Sequence, residues 1–233
     1  AVSDASLTYA TLFYGGATDF RFAQKLSVLA DVSGIDVTLP RGGHVSGTVR
    51  NSATLQMLGG TIVAAYDASG MLSATAVTGS DGRYALVVAP GTYRFAAFDP
   101  QLQFATSYAG GATSYETTGP LSVDAEATIT VDFAMRRGIR VSGTVTSDNS
   151  AVLSGIEVFA LDANGNRAAG AVTKDGAFTV VVAPGTYRFV AVDPFRRFAS
   201  GPQSPAVAIV EGQTPPAIPL TVTAVTRRRA VRH

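Results

Sequence analysis

The stretch Ala89-Pro90-Gly91-Thr92-Tyr93-Arg94-Phe95 occurs a second time, letter for letter, as Ala183-Pro184-Gly185-Thr186-Tyr187-Arg188-Phe189. Proline presets φ at the first central position of a β-turn, and glycine supplies the positive φ that a type II turn needs at the next position. On both sides of this turn the side chains alternate with the period of two that is typical of strands with one buried face. Each copy therefore predicts a strand, a tight type II turn and a second strand.

The identity extends beyond this stretch. Between residues 81–100 and residues 175–194, 14 of 20 positions are identical at a constant offset of 94. This offset indicates a repeat of the size of a domain, not a short solenoid period. A repeat of about 95 residues can bury its own hydrophobic core. We therefore expect two complete β-sandwich repeats, residues 44–137 and residues 138–225.

Each repeat opens with the same five residues, Val-Ser-Gly-Thr-Val, at 45–49 and at 141–145. A glycine inside a strand indicates that a neighbouring backbone or ring comes close, so Gly47 marks such a position. Further apolar segments follow at intervals of about eight to twelve residues, the spacing of an all-β sandwich. The other strands predicted for the first repeat include residues 62–66, 74–78 and 128–135.

Residues 1–43 are similar to the second part of a repeat. Tyr9-Ala10-Thr11 corresponds to Phe104-Ala105-Thr106 at an offset of 95, and residues 35–39 correspond to residues 129–133. The first half of this repeat is missing, and about three strands of a sandwich cannot bury both faces alone. Two explanations are open: another chain completes the segment, or upstream sequence has been cut away.

The composition narrows the functional class. There are 18 basic and 17 acidic residues in the 233, a net charge of +1, which argues against nucleic-acid binding. Cysteine is absent, so there is neither a disulfide framework nor a thiolate site. No apolar run approaches the roughly 18 to 20 residues that span a membrane, and no signal peptide is recognisable at the start. Residues 226–233 form a basic tail, which is either solvated or a contact for an anionic surface.

The order of these motifs resembles the carboxypeptidase regulatory-like family of bacterial surface proteins, close to Cna B-type and transthyretin-like sandwiches. The residues that carry the resemblance are 45–49, 67–70, 78–84 and 89–95, and again 141–145, 162–165, 173–178 and 183–189. The resemblance implies tandem seven-stranded Ig-like or transthyretin-like sandwiches in a secreted or cell-surface protein that serves as a spacer, stalk or adhesive module. The Lys–Asn isopeptide bond of many Cna B-type relatives is not expected, because neither first strand contains a lysine.

The sequence offers little catalytic chemistry. His44 and His233 are the only histidines, and neither has a recognisable base partner, so we expect no enzyme. Asp162-Ala163-Asn164-Gly165-Asn166 resembles the start of a calcium loop, but no carboxylate follows at the required distance, which favours a hairpin turn. No metal site and no cofactor are predicted.

Aromatic residues beside Gly-Gly pairs are the candidate ligand contacts. Tyr14, Tyr108 and Tyr115 could stack on a sugar ring, or they could close the open end of a sandwich. Phe159 is a further candidate contact, because its neighbours Val158 and Ala160 are expected to face inward.

Together these observations predict a non-catalytic, extracellular structural or adhesive protein. The hypothesis that follows from the incomplete segment is self-association through residues 1–43, which would give a head-to-tail filament or a surface-layer subunit. The alternative function is a carbohydrate-binding module of a larger secreted protein. A third interpretation is that the chain is an excerpt from a longer array.

Overall fold

The computed structural model describes residues 1–4, 6–17 and 23–225. Strands and loops make up almost all of this part, with one single-turn 3-10 helix at Ala109–Gly111. The strands are β1 Gly43–Asn51, β2 Ile62–Tyr66, β3 Leu72–Val77, β4 Arg83–Val88, β5 Gly91–Phe98, β6 Ser107–Tyr108, β7 Leu121–Val123, β8 Thr128–Thr130, β9 Phe133–Met135, β10 Ile139–Ser147, β11 Glu157–Leu161, β12 Arg167–Val172, β13 Ala177–Val182, β14 Gly185–Val192, β15 Phe198–Ala199, β16 Val207–Ile209 and β17 Ile218–Ala224. The all-β class predicted from the sequence is confirmed.

The described chain divides into two compact units. The first contains residues 1–100 and 107–136, and the second contains residues 101–106 and the chain from Arg137 onward. The short segment 101–106, which the sequence places in the first repeat, therefore belongs to the second unit. The basic tail, residues 226–233, lies outside the described residues.

The first unit contains two sheets. One has the order β4-β1-β8, with β9 also on β1, and the other has the order β3-β2-β5-β6, with β7 also on β5. Strands β8 and β9 pair in parallel with β1 in a single register, His44 with Thr128 and Val49 with Phe133. Between them Asp132 Oδ1 accepts hydrogen bonds from the Thr48 amide at 2.7 Å and the Thr48 hydroxyl at 2.8 Å. With β8 and β9 counted as one interrupted strand, and the two-residue β6 left out, seven strands form the described sandwich of the first unit.

The parallel pairing of the first and last strands depends on a glycine. A Cβ at Gly47 would overlap the carbonyl oxygen of Val131, so only glycine allows the two backbones to approach this closely. Tyr84 lies beside this contact and donates its hydroxyl proton to the same carbonyl oxygen at 2.6 Å. Burial, and then the Asp132 charge, raise the pKa of Tyr84. The close approach expected at Gly47 is confirmed.

The second unit repeats this arrangement. Its sheets have the orders β13-β10-β17-β15 and β12-β11-β14-β16, and β10 pairs in parallel with β17. A Cβ at Gly143 would overlap the Ile218 carbonyl oxygen, and the Phe178 ring would lie only 2.6 Å away. Alternate residues of both sheets form one core, which includes Val141, Val145, Val158, Phe178, Phe189, Ile218, Leu220 and Val222.

The turn that identifies the repeat is not of type II. Neither Gly91 nor Gly185 has a positive φ, so the predicted type II conformation is wrong. Glycine is needed there because the following tyrosine folds back over it. Tyr93 donates its hydroxyl proton to the Ala89 carbonyl at 2.7 Å, and its ring would lie 3.3 Å from a Cβ at Gly91. The second copy repeats this, with Tyr187 donating to the Ala183 carbonyl at 3.0 Å.

Candidate interaction surfaces

In the first unit a loop covers the outer face of the sheet that contains β5. Strand β6 pairs Tyr108 with Ala96, and the Ala96 side chain faces away from the core yet is fully buried. Ala64, which pairs with Ala96 on the adjacent strand, is also buried. Thr118 donates its hydroxyl proton to the Ala109 carbonyl at 2.9 Å and so fastens the end of the loop. Small side chains on this face therefore make room for the loop.

Tyr115 lies at the far end of the same loop. Its ring packs edge-on against Tyr66, with ring centroids 5.7 Å apart, and the Arg94 guanidinium lies 5.4 Å from its centroid. Arg94 also donates its Nε proton to the Thr118 carbonyl at 3.2 Å. Tyr108 is only 5% exposed. In this arrangement Tyr108 presents no open ring face, and Tyr115 is engaged by protein side chains.

In the second unit the corresponding face carries Phe159 instead of a loop. Phe159 pairs with Val190 on one side and with Gly170 on the other, and its ring would lie 3.2 Å from a Cβ at Gly170. The Arg167 guanidinium lies 5.5 Å from the ring centroid. Phe159 is half-buried and faces outward, as predicted from its position in the strand. Its role as a ligand contact stays a prediction.

The short segment after β15 covers only the edge of this sheet. Ser204 donates its amide proton to the Phe189 carbonyl at 2.8 Å, and its Oγ accepts the Phe189 amide proton at 2.9 Å. Ser204 therefore pairs with β14 as a strand residue would. The outer face remains without a covering loop in the described residues of this unit.

An aspartate loop that the sequence did not predict begins at Asp4 and at Asp193, and the stretch from Asp99 shares its sequence pattern and its residue of positive φ. In the first copy Asp4 accepts the backbone amides of Ser6, Thr8 and Tyr9 at 2.9, 2.9 and 3.1 Å. Hydrogen bonds from the Ser6 side chain, and then from the Ser6 and Thr8 backbone, lower the pKa of Asp4 to about 2. Leu7, within the loop, has φ of 56°.

The third copy has the same pattern of bonds. Asp193 accepts the amides of Phe195, Arg197 and Phe198 at 3.2, 2.6 and 3.1 Å. Arg196 has φ of 54°, and Leu102 in the second copy has φ of 57°. The sequence signal was present: Asp-x-x-x-x-(Tyr/Phe)-Ala-(Thr/Ser) begins at residues 4, 99 and 193.

Each aspartate loop leads into a backbone hydrogen bond with a residue that borders a long strand: Gly42 before β1, Gly138 before β10 and Val225 after β17. The Gly42 amide donates to the Thr8 carbonyl and the Gly138 amide to the Gln103 carbonyl, each at 3.0 Å, while the Val225 amide donates to the Arg197 carbonyl at 3.1 Å. We call these three arrangements the connectors. The alanine of the connector is buried in the first two, at Ala10 and Ala105, and is exposed in the third, at Ala199.

The leading segment, residues 1–43, exposes positions that are buried in the complete repeat. Val28 is 68% exposed, whereas its counterpart Val123 is 0% exposed. Residues 35–39 form no strand, although their counterparts 129–133 belong to β8 and β9. Strands β8 and β9 form by pairing with β1, and in the described residues no such strand lies beside residues 35–39. Tyr14 lies in this segment, half-buried, and its carbonyl accepts the Gln24 amide at 2.9 Å.

The residues considered for catalysis and metal binding lie apart. His44 is half-buried at the start of β1, and its amide donates to the Ala127 carbonyl. Asp162 Oδ1 accepts the amides of Asn164 and Asn166, both at 2.9 Å, which is the geometry of a hairpin turn. Within the described residues, no group of three His, Cys, Asp or Glu side chains could hold a metal ion. In the same part of the chain, no helix has the length and apolarity to cross a membrane.

Comparisons with known proteins give no family. No family model matches the chain, and no curated protein sequence matches it. Among solved structures, it is similar to the Bacillus anthracis TIE protein, with 12% identity over 81% of this chain and 35% of that chain and a TM-score of 0.35.

Two pilins are similar at the same level. For the Streptococcal ancillary pilin the identity is 14% over 82% of this chain and 66% of that one, with a TM-score of 0.30. For the shaft pilin SpaA from Lactobacillus rhamnosus GG the identity is 11% over 80% of this chain and 99% of that one, with a TM-score of 0.31. The chain thus spans about a third of the TIE protein and about two thirds of the ancillary pilin. The assignment of a β-sandwich rests on the sheets and registers described above.

Proposed function

We propose that the chain is a non-catalytic structural and adhesive part of an extracellular or cell-surface protein, built from tandem sandwiches of the carboxypeptidase regulatory-like or Cna B type. The observation that carries this proposal is the connector. A sandwich of fixed size recurs together with its own joining device, an aspartate loop followed by a backbone bond to Gly42, Gly138 or Val225. A protein that repeats both the module and the joint is suited to act as a spacer.

The polar side chains of the modules support the same proposal, because their hydrogen bonds serve the fold. Asp67 accepts the Ser69 and Met71 amides and Asp162 those of its own turn, so both carboxylates stabilise hairpins. Tyr84, Tyr93 and Tyr187 donate their hydroxyl protons to backbone carbonyls. A catalytic site needs such groups to converge on a substrate, and here they are distributed over separate turns.

We assign the adhesive function to the leading segment. Val28 is 68% exposed, whereas its counterpart Val123 is fully buried in the complete repeat, and the adjacent Leu29 is 96% exposed. Apolar side chains that are buried in a complete repeat have a strong tendency to find another cover. Self-association through residues 1–43 would bury these exposed side chains.

Carbohydrate binding, the alternative function, gains no support from the candidate rings. A stacking platform needs an open aromatic face, and Tyr108 is buried while Tyr115 lies against Tyr66 and Arg94. We therefore propose that the loop that carries Tyr108 and Tyr115 has a structural role in the first unit.

Sedimentation analysis and electron microscopy of the purified chain, with and without residues 1–42, test the proposal. We expect concentration-dependent association of the full chain and single particles after the deletion. Protease treatment of intact source cells should remove the protein if it lies at the surface. A full chain that stays monomeric at high concentration and resists surface proteolysis would contradict the proposal.

A further inference from the structure

The turn between β11 and β12 contains an asparagine followed by a glycine. Asn164 and Gly165 are both exposed, and Gly165 has φ of 83°. A Cβ at Gly165 would meet no atom beyond its chain neighbours within 4 Å. The side chain of Asn164 and the backbone of Gly165 therefore lie open to water.

A side-chain amide next to an accessible backbone nitrogen can react with it. The Gly165 nitrogen gives up its proton and attacks the side-chain carbonyl carbon of Asn164, and the side-chain nitrogen takes up a proton and leaves as ammonia. The product is a cyclic imide. Water then opens the ring at either carbonyl carbon, so that residue 164 becomes aspartate or isoaspartate. Water is the co-reactant, and no electron is transferred to or from the chain.

Asp162 opposes this reaction while the turn is closed. The Gly165 amide donates its proton to the Asp162 carbonyl at 3.0 Å, which engages the attacking nitrogen. Asp162 Oδ1 accepts the amides of Asn164 and Asn166, both at 2.9 Å, and so fixes the backbone of the turn. Because β12 is the edge strand of its sheet, this hairpin can open locally while the other strands stay paired. The reaction rate should follow that local opening.

The other asparagines of the chain lack this combination. Asn51, Asn149 and Asn166 are each followed by a residue with a side chain, which is serine, serine and arginine respectively. A Cβ at that position shields the backbone nitrogen, and glycine has none. Asn51 is also buried, and its Oδ1 accepts the Ala53 amide at 2.9 Å. We therefore expect Asn164 to react first.

We propose that Asn164 is a site of spontaneous deamidation, and that the hydrogen bonds to Asp162 control its rate. This modification goes beyond the proposed function and does not depend on it. The reaction places a second carboxylate beside Asp162, where the two charges repel. The isoaspartate product also lengthens the backbone of the turn, so the amides that follow no longer meet the Asp162 oxygens. Deamidation thereby weakens the pairing of β12 irreversibly as the protein ages.

The first unit contains the same turn without the asparagine. Asp67 Oδ1 accepts the Ser69 and Met71 amides at 2.9 and 3.0 Å, its carbonyl accepts the Gly70 amide at 2.9 Å, and Gly70 has φ of 81°. Ser69 stands where the second unit has Asn164, and a serine side chain carries no amide that could be lost. Asn164→Ser is therefore a matched control that keeps the geometry of the turn.

The test is incubation of the full chain at mildly alkaline pH, followed by peptide mapping with mass spectrometry, which locates each conversion of an amide to a carboxylate. We expect conversion at Asn164 ahead of the other asparagines, and its complete loss in Asn164→Ser. Asp162→Ala should react about fivefold to tenfold faster, the factor that the loss of one hydrogen bond of ordinary strength supports. Asp162→Asn keeps an oxygen acceptor and should stay closer to the parent.

The same chain unfolded in guanidinium chloride provides the reference rate for an open turn. If residue 164 converts in the unfolded chain but not in the folded one, Asn164 is not a site in the native protein and the inference is overturned. Equal rates in the parent and in Asp162→Ala would disprove the control by Asp162. Thermal unfolding before and after incubation should show a loss in the parent and none in Asn164→Ser, and equal losses would disprove the weakening of β12.

Discussion

The two complete sandwiches share one framework but cover the outer face of one sheet differently. In the first unit Ala64 and Ala96 lie beneath the loop that carries Tyr108. In the second unit, Phe159 and Val190 stand at these positions, and Arg167 lies over the phenyl ring. The comparison shows that the strand framework accepts either a covering loop over small side chains or larger side chains without the loop.

The largest effect should come from changing what both sandwiches share. Gly47→Val and Gly143→Val would each place a side chain against the carbonyl of the parallel last strand. We expect each to cost at least about 3 kcal/mol, and only in its own sandwich, because the strands must separate. Chemical denaturation with a probe in each unit measures this.

The control for this change is Gly119→Ala. Gly119 has no positive φ, and a Cβ there would meet no atom within 4 Å. Its effect should be close to zero. Equal losses at Gly47 and Gly119 would show that the parallel pairing does not depend on close approach.

A smaller effect should follow from exchanging the outward-facing side chains of the two units, alanine beneath the loop and phenylalanine where there is no loop. Ala64→Phe puts the side chain of the second unit beneath the loop of the first, which must then lift, at a cost of about 2 kcal/mol. Phe159→Ala removes the ring from Arg167 and Gly170 and should cost about 1 kcal/mol, because the residue is only half-buried. Thermal unfolding measures the stability of both variants. A larger loss of stability for Phe159→Ala than for Ala64→Phe would contradict our description of which face is covered.

The third connector should respond to acid. Burial alone would raise the pKa of Asp193, but hydrogen bonds from Arg197, Phe195 and Phe198 lower it below the usual range. The stabilisation is therefore present above the ordinary carboxyl pKa of about 4 and is lost as the pH falls through the folded-state pKa. Asp193→Asn should cost about 1.5 kcal/mol at pH 7 and nearly nothing at low pH. A pH-independent loss would contradict this assignment.

A small effect, similar in size to that of Phe159→Ala, should come from the tyrosines that fold back over Gly91 and Gly185. Burial, and then the Asp67 and Asp162 charges, raise the pKa of Tyr93 and Tyr187 respectively. Their stabilising effect is fully present below the unfolded pKa of about 10 and is lost as the pH rises through the folded-state pKa.

Tyr93→Phe removes one hydroxyl and should cost about 1 kcal/mol at neutral pH. The variant should also lose less stability than the parent between pH 9 and pH 11. Tyr14→Phe serves as the control, and denaturant melts across this range measure both. A parent and a Tyr93→Phe variant with identical alkaline profiles would disprove the role of this hydroxyl.

The strand framework could be predicted because its signals are local. The alternation of residues 84–98 predicts which side chains face inward. Gly47 predicts where a neighbouring backbone comes close. The type II turn predicted at Gly91 is wrong because glycine is required there for another reason: the Tyr93 ring packs over this residue and leaves no room for a side chain. The outward orientation of Phe159 was predicted. That Phe159 occupies the face that a loop covers in the first unit could not be, because this depends on its pairing with Val190 and Gly170 on neighbouring strands.

The aspartate loop was missed for a different reason. Asp99 and Asp193 are followed by proline but Asp4 by alanine, and what the Asp4 and Asp193 loops share is a carboxylate that accepts backbone amides, whatever the side chains of those residues. Residues 35–39 were expected to be a strand like 129–133, and their local sequence supports that expectation. Their strand character depends on a distant partner, β1 in the first unit, which no local pattern records.

The parallel pairing of the first and last strands has a consequence for a sandwich that is pulled from its two ends. Because β1 and β9 are parallel, the chain enters β1 at one end of the pair and leaves β9 at the opposite end, so tension along the chain slides the two strands past each other. All the hydrogen bonds between them resist in shear at once, whereas an antiparallel pair joined at one end would open bond by bond like a zipper. Each module is thereby arranged to extend little under force.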